Sequence, residues 1–333
     1  MQAGLRTLAI YRLLRQYTDE NHPMNAVDIA HRLRAMGMEV ERRSIYRSIE
    51  ELEQFGVDII HEEQKNQGFY LGEREFELPE IKLLMDAVQA ARFITPGKSR
   101  KLLHKLAGFA SSAQREALMG SVFVEDRAKC VNEHIYYHID AITQAIREDR
   151  KIGFRYCEYN LRKHLVNRRN GAEYSASPYA LTWSQDAYYL ISRIDEHPGF
   201  THFRVDRMKE VRVLDEPLEG YTDFYDDETL NIGDYSKRAF SMFSGPLTRV
   251  TIRFADRLIT AVLDKLGTDV RIFPDEQHPG YFLLETELVV SAGLTSWLAH
   301  FGSGAEVVAP QSARKQVRDL LCDALRNYEM DLP

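Results

Sequence analysis

Between residues 42 and 47 the chain reads RRSIYR, bringing Arg42, Arg43, Ser44, Tyr46 and Arg47 into six consecutive positions. Guanidiniums, a hydroxyl and a phenol in such a cluster are donors suited to nucleic-acid bases. Arginine in particular bonds guanine through two parallel hydrogen bonds. The acids Glu50, Glu51 and Glu53 come one to two turns later, so the cations gather at the N-terminal end of the segment. In a helix-turn-helix it is that end of the second helix that meets base edges. Downstream, Lys65, Asn66 and Gln67 form a polar tip suited to phosphate or minor-groove contact. The same residues also fit a solvated helix face followed by a plain loop.

A second set lies in the middle of the chain: Tyr156, Tyr189, Arg193, His202, Arg204 and Arg207. Aromatic rings offer stacking surfaces for bases, and guanidiniums take phosphates in bidentate fashion. Residues 147–169 add eight Lys/Arg against three Asp/Glu, a local excess that favours an anionic ligand. The competing reading makes Tyr156, Tyr189 and Phe203 packing aromatics and pairs Arg207 with a nearby acid. Other motifs fall short of chemistry. Pro96, Gly97, Lys98 and Ser99 imitate the end of a phosphate-binding loop, but Arg92 stands where its first glycine belongs and a helix precedes it. Cys130, His134 and His138 recur every fourth residue without a fourth ligand, which favours packing over zinc. With no hydrolase, metalloprotease or dinucleotide motif, we expect neither an enzyme nor a cofactor nor a metal.

These groups need elements to hold them. Leu5, Leu8, Ala9, Tyr11, Leu13 and Leu14 mark a first amphipathic helix, Asn25 caps a second that Gly37 closes, and a third runs from Glu41 to Phe55. That third helix places Ile45, Ile49, Leu52 and Phe55 on one face and stops at Gly56. Two β-prone runs, Val57–His61 and Phe69–Leu71, then flank EEQKNQG, a hairpin with Gly68 near its turn. The expected domains are a winged helix-turn-helix over 1–72, a helical connector over 73–140, a small β-barrel over 141–215, a linker over 216–246 and an α/β sandwich over 247–333. Five alternating runs mark the barrel. The tail, strand–helix–strand–strand–helix–strand–helix, follows the order of a ferredoxin-like split βαβ. The fold class is α+β and multidomain.

The chain has 333 residues, 44% of them hydrophobic, enough for several cores. Its apolar runs are far shorter than the roughly 20 residues needed to span a bilayer. The N-terminus carries arginines within its apolar pattern, so no signal peptide and no membrane partner are expected, and the compartment is the cytoplasm. Three widely spaced cysteines imply no disulfide framework. A net charge of -7 does not suit a nucleic-acid binder, and residues 1–72 hold nine Lys/Arg against eleven Asp/Glu. Affinity for DNA must then rest on a small local patch.

RRSIYRSIEELEQFG, followed by VDII and GFYL, resembles the DeoR-type winged helix-turn-helix, with Ser44, Arg47, Leu52 and Gly56 at its landmark positions. AYYLISRI followed by THFRVDRM resembles the WYL domain of bacterial regulators. Tyr188, Tyr189 and Leu190 fill the namesake triplet, with tyrosine in place of tryptophan. Tyr156, Pro178, Phe203, Arg204, Asp206 and Arg207 match the family's other landmarks, and SWLAHFGSGAEVVAP with the closing helix resembles the WCX extension. The resemblance implies an SH3/Sm-like barrel and a homodimeric regulator of double-stranded operator DNA. It also implies a single-stranded nucleic acid or nucleotide-like effector, and repression or autoregulation at loci such as phage defence. A different class stays open: a non-transcriptional single-strand sensor that recruits a protein partner.

Overall fold

Helices form in the N-terminal region where apolar residues recur every third or fourth position, and they end where glycine lets the backbone turn away. The computed structural model describes residues 3–62, 68–120, 129–130, 132–184, 186–197, 199–220, 235 and 238–329. In it the first helices are α1 (Ala3–Tyr17), α2 (Ala26–Ala35) and α3 (Arg42–Gln54). The Asn25 side chain caps α2, accepting from the amides of Val27 and Asp28 at 2.9 Å each. Gly37 and Gly56, with φ of 81° and 96°, supply the left-handed turns that follow α2 and α3.

The buried stripe of α1 is Ile10, Leu13 and Leu14, whereas Leu5 and Leu8 face solvent. This corrects the expected stripe. Residues 10, 13, 14 and 17 follow the spacing of a single helical face, and Leu5 and Leu8 fall outside it. Phe55 is also corrected: 85% exposed, it sits past the last helical residue and leaves the face of Ile45, Ile49 and Leu52.

Strands β1 (Ile59–Glu62) and β2 (Gly68–Leu71) pair antiparallel, with Ile59 opposite Leu71. Met24 joins them, exchanging two backbone hydrogen bonds with Phe69 at 2.9 and 2.8 Å. A Cβ on residue 68 would lie 2.8 Å from the Met24 carbonyl carbon, so only glycine fits. Gly68 therefore opens β2 instead of shaping the turn. The turn itself, with Lys65, Asn66 and Gln67, lies outside the described residues. Ile10, Leu13, Leu14, Ile29, Leu33, Ile45, Ile49, Met24 and Phe69 share one core beneath these elements.

Three more helices follow, α4 (Leu78–Ala90), α5 (Pro96–Ala107) and α6 (Ser112–Gly120). Pro96 to Ser99 are the first turn of α5, capped by the Thr95 hydroxyl, and Ser99 accepts a hydrogen bond from Lys129 Nζ at 2.6 Å. Arg74 ties α1 to this layer by donating to the carbonyls of Arg15, Thr18 and Phe109. Ser111 donates to the buried Asp19 carboxylate. By its contacts the chain divides into two units, Met1–Val131 and Asn132–Pro333, and the division falls within residues 73–140.

The second unit opens with α7 (Ile135–Arg147), which lies along a curled antiparallel sheet. Its strands are β3 (Arg150–Tyr159), β4 (Leu165–Asn167), β5 (Tyr174–Ser184), β6 (Ala187–Arg193), β7 (Thr201–Arg204) and β8 (Met208–Pro217). They run in the order β4–β3–β5–β6–β7, and β8 returns to β3 to curl the sheet. Five strands were expected here, and the short β4 is the addition. Phe154, Tyr174 and Phe203 meet inside at centroid distances of 4.9 to 5.4 Å.

The C-terminal part consists of β9 (Leu247–Ala255), α8 (Ile259–Leu266), β10 (Arg271–Pro274), β11 (Tyr281–Val289), α9 (Ala292–Ala299), β12 (Ala305–Ala309) and α10 (Gln311–Glu329). Its antiparallel strands are ordered β10–β11–β9–β12. The segment expected to be a linker is partly core. Tyr235 and Ala239 pack with Ile191, Phe200 and Val289 between the two sheets, and Phe240 packs against β9 and α9. Among the described residues no helix is long and apolar enough to cross a membrane.

Candidate nucleic-acid interface

Helix α3 owes its position to its buried side, where Ile45, Ser48, Ile49 and Leu52 face the core. Ser48 accepts from Arg6 Nε at 2.8 Å and Thr7 Oγ1 at 3.1 Å, pinning the middle of α3 to α1. The opposite side is open. Arg42, Arg43 and Arg47 are exposed, while Ser44 and Tyr46 are half-buried. Arg42 donates to the Tyr46 hydroxyl at 3.0 Å, and the Tyr46 ring meets Phe69 of β2 edge-on at 5.7 Å. Arg47, with a side chain 77% exposed, leans on Glu51 at 3.3 Å, and Glu51 is itself held by Thr7. Arg43 has no ion-pair partner among the described residues. The N-terminal half of α3 thus presents three cations on a rigid support, ahead of the acids.

The second set divides by the pleat of β6 and β7. Tyr189 stands opposite Arg204 and Ile191 opposite His202, so Tyr189, Ile191, Arg193, His202 and Arg204 share the outer face of the curled sheet, whose middle is covered where Ile191 and His202 meet Tyr235. Tyr156 does not join them. It is 8% exposed, packed against Phe203 at 5.0 Å and Tyr174 at 6.3 Å, with its hydroxyl accepting from the Arg204 amide at 3.2 Å. Burial raises its phenol pKa. Its ring is core, which corrects its placement as a stacking platform. Phe154 and Tyr156 alternate onto the inner face of β3, whereas Tyr159 at its end is exposed.

The outer-face cations are already engaged. Arg204 makes a bidentate pair with Asp206 at 2.7 and 3.0 Å, the chief cause of its raised pKa. Arg193 meets Glu219 at 3.1 Å, and Glu219 also accepts from Lys151 at 2.7 Å, the bond that chiefly lowers its pKa despite some burial. Arg207, in the 3-10 turn after β7, has its Nε buried without a hydrogen-bond partner among the described residues. His202 stacks near-parallel on Tyr235 at 5.6 Å, and burial pushes its pKa down to about 4. It is neutral at physiological pH.

Two side chains near these sets, Trp183 and Glu219, escaped the reading of the sequence. Trp183, about half exposed, pairs across the β5–β6 hairpin with Tyr188, on the face opposite Tyr189. Asp206 was visible two residues after Arg204. Glu219 lies in the acidic segment read as linker, and nothing local marks it. Cys130, His134 and His138 do not assemble: among the described residues no three metal-ligating side chains come together.

Residues 137–213 match the WYL domain model and residues 246–325 the WCX domain model. Among solved structures the chain is similar to proteasome accessory factor B/C (PafBC) of Arthrobacter aurescens. Identity is 19% over 97% of this chain and 48% of that one, with a TM-score of 0.29. The chain therefore spans about half the length of that relative. It is also similar to a structure described as a CRISPR Cas-related protein, at 11% identity over 99% of this chain and 84% of that one, with a TM-score of 0.36. At these scores neither likeness carries weight for function. No curated protein matches the chain.

Proposed function

We propose that this chain, which carries a WYL domain and a WCX domain, is a DNA-binding transcriptional regulator without enzymatic activity. Residues 3–71 are its winged helix-turn-helix, of the DeoR type, and α3 is the reading helix. The observation that carries this is the exposed Arg42, Arg43 and Arg47 at the N-terminal end of a helix pinned to α1 and braced by β2. Base-edge readout needs rigid support and free donors together.

The curled sheet of β3–β8 is the sensing barrel, and the face of Tyr189, Arg193, His202 and Arg204, with Arg207 from the turn after β7, takes a single-stranded nucleic acid or nucleotide-like effector. The order β10–β11–β9–β12 supports a ferredoxin-like C-terminal sandwich that relays effector binding. A homodimer is the working form, because two half-sites multiply the affinity of a small reading surface. The chain acts as a cytoplasmic repressor or autoregulator. For an effector to act, it must prefer one arrangement of the reading helices energetically.

The test is electrophoretic mobility shift on the duplex upstream of the protein's own coding region, with and without short single-stranded oligonucleotide. A shift altered by the oligonucleotide supports both halves of the reading. Binding of the single strand with no duplex shift favours a sensor that recruits a protein partner.

A further inference from the structure

The excess of cations over residues 147–169 is mostly neutralised in the fold. Arg150 pairs with Asp215, Lys151 with Glu219, Arg155 with Glu210, Arg168 with Glu158 and Arg169 with Glu196. Arg162 and Lys163, at the tip of the β3–β4 hairpin, have no such partner among the described residues and are exposed. Between them and the exposed Tyr159 stands Leu161, at 104% of its reference exposure. At that exposure Leu161 buries no apolar surface and adds nothing to the fold by burial.

This tip is also fixed in shape. Asn160 Oδ1 accepts from the amides of Arg162 and His164 at 3.0 Å each, and the Asn160 amide donates to the His164 carbonyl at 3.0 Å. The Lys163 amide donates to the Asn160 carbonyl at 2.9 Å, and Lys163 holds a left-handed φ of 63°. Such a conformation costs a non-glycine residue about 1 kcal/mol or more unless its surroundings hold it. The turn is preorganised, and it is convex. A convex tip suits a groove, whereas a single strand is usually bound along a flat aromatic platform or a concave channel.

We infer that the β3–β4 hairpin tip is a second contact to duplex DNA, with Leu161 entering the minor groove and Arg162 and Lys163 binding the flanking phosphates. Apolar wedges flanked by cations are a recurrent way of holding the minor groove. The inference rests on the duplex-binding reading above. It adds a sequence-independent contact, borne by the barrel domain and separate from the β6–β7 face.

Anisotropy of the full chain, measured across a salt series on a mixed-sequence duplex and on its separated strand, tests it. The substitution pair Arg162→Ala and Lys163→Ala should weaken duplex binding several-fold. It should also make the slope of log affinity against log salt shallower by about 2, at roughly 0.9 per lost phosphate contact. Leu161→Ala should weaken duplex binding with the slope unchanged. Far-UV circular dichroism checks that these exposed substitutions leave the fold intact. Wild-type slope and affinity in both variants would overturn the hairpin contact while leaving the regulator reading standing, and so would a loss confined to the single strand. A wild-type chain that binds no duplex would overturn both.

Discussion

The N-terminal half of α3 and the outer face of β6–β7 hold similar side chains in opposite electrostatic states. On α3, Arg43 is unpaired among the described residues and Arg47 touches Glu51 only through an exposed contact of 3.3 Å. On the barrel, Arg204 is locked to Asp206 by two short hydrogen bonds and Arg193 is tied to Glu219. Exposed contacts of the first kind are worth about 0–1 kcal/mol and yield readily to a better partner. A bidentate, half-buried pair yields only to a ligand that replaces its charge. The cations of α3 are thus available to a ligand, whereas those of the β6–β7 face are engaged by acids of the same fold.

The largest effect should come from the open side. Arg43→Ala and Arg47→Ala should each cost about 1–3 kcal/mol of specific duplex affinity if they bond base edges, measured by competition against base-substituted duplexes. A uniform loss across all sequences would reduce them to phosphate contacts. On the engaged side, Arg204→Ala with Arg207→Ala should abolish the oligonucleotide's effect on duplex affinity, and an unchanged effect would remove the assigned face. Asp206→Asn should release Arg204 and tighten oligonucleotide binding by up to about tenfold, worth about 1.4 kcal/mol. Unchanged affinity, read by calorimetry, would mean that the pair does not gate the site.

His202 gives a smaller, pH-dependent signature. Its folded pKa of about 4 lies below the ordinary 6.5, so the fold favours the neutral ring. The stability this confers is full above 6.5 and is lost as pH falls towards about 4. His202→Gln should flatten that slope in thermal unfolding. Smallest of all, Arg212→Gln, which breaks an exposed pair with Glu173 at 2.8 Å, should change stability by less than about 1 kcal/mol. A larger loss there would mean that the engaged cations of the barrel serve the fold itself.

Local signals carried much of this architecture. Asn25, Gly37 and Gly56 punctuate the first helices because capping and left-handed turns depend on single residues. The spacing Ser44, Arg47, Leu52, Gly56 marked α3 for the same reason. What stayed hidden depends on tertiary neighbours. Leu5 and Leu8 read as core because periodicity does not say how far a partner extends, and Tyr156 read as a platform because strand alternation does not say which face closes. Glu219, Tyr235 and Phe240 sit in a stretch whose composition reads as linker, yet Tyr235 and Phe240 fill the cores that this stretch borders. Charge counting over 147–169 could not show that four of its cations meet acids elsewhere.

The central claim is that α3 reads duplex sequence, and anisotropy of wild type and Arg47→Ala on the upstream duplex against a scrambled competitor tests it most directly. The account predicts that wild type prefers the upstream duplex and that Arg47→Ala loses about 1–3 kcal/mol of that preference. Equal affinity of wild type for both duplexes, or tight binding of single strands alone, would contradict it.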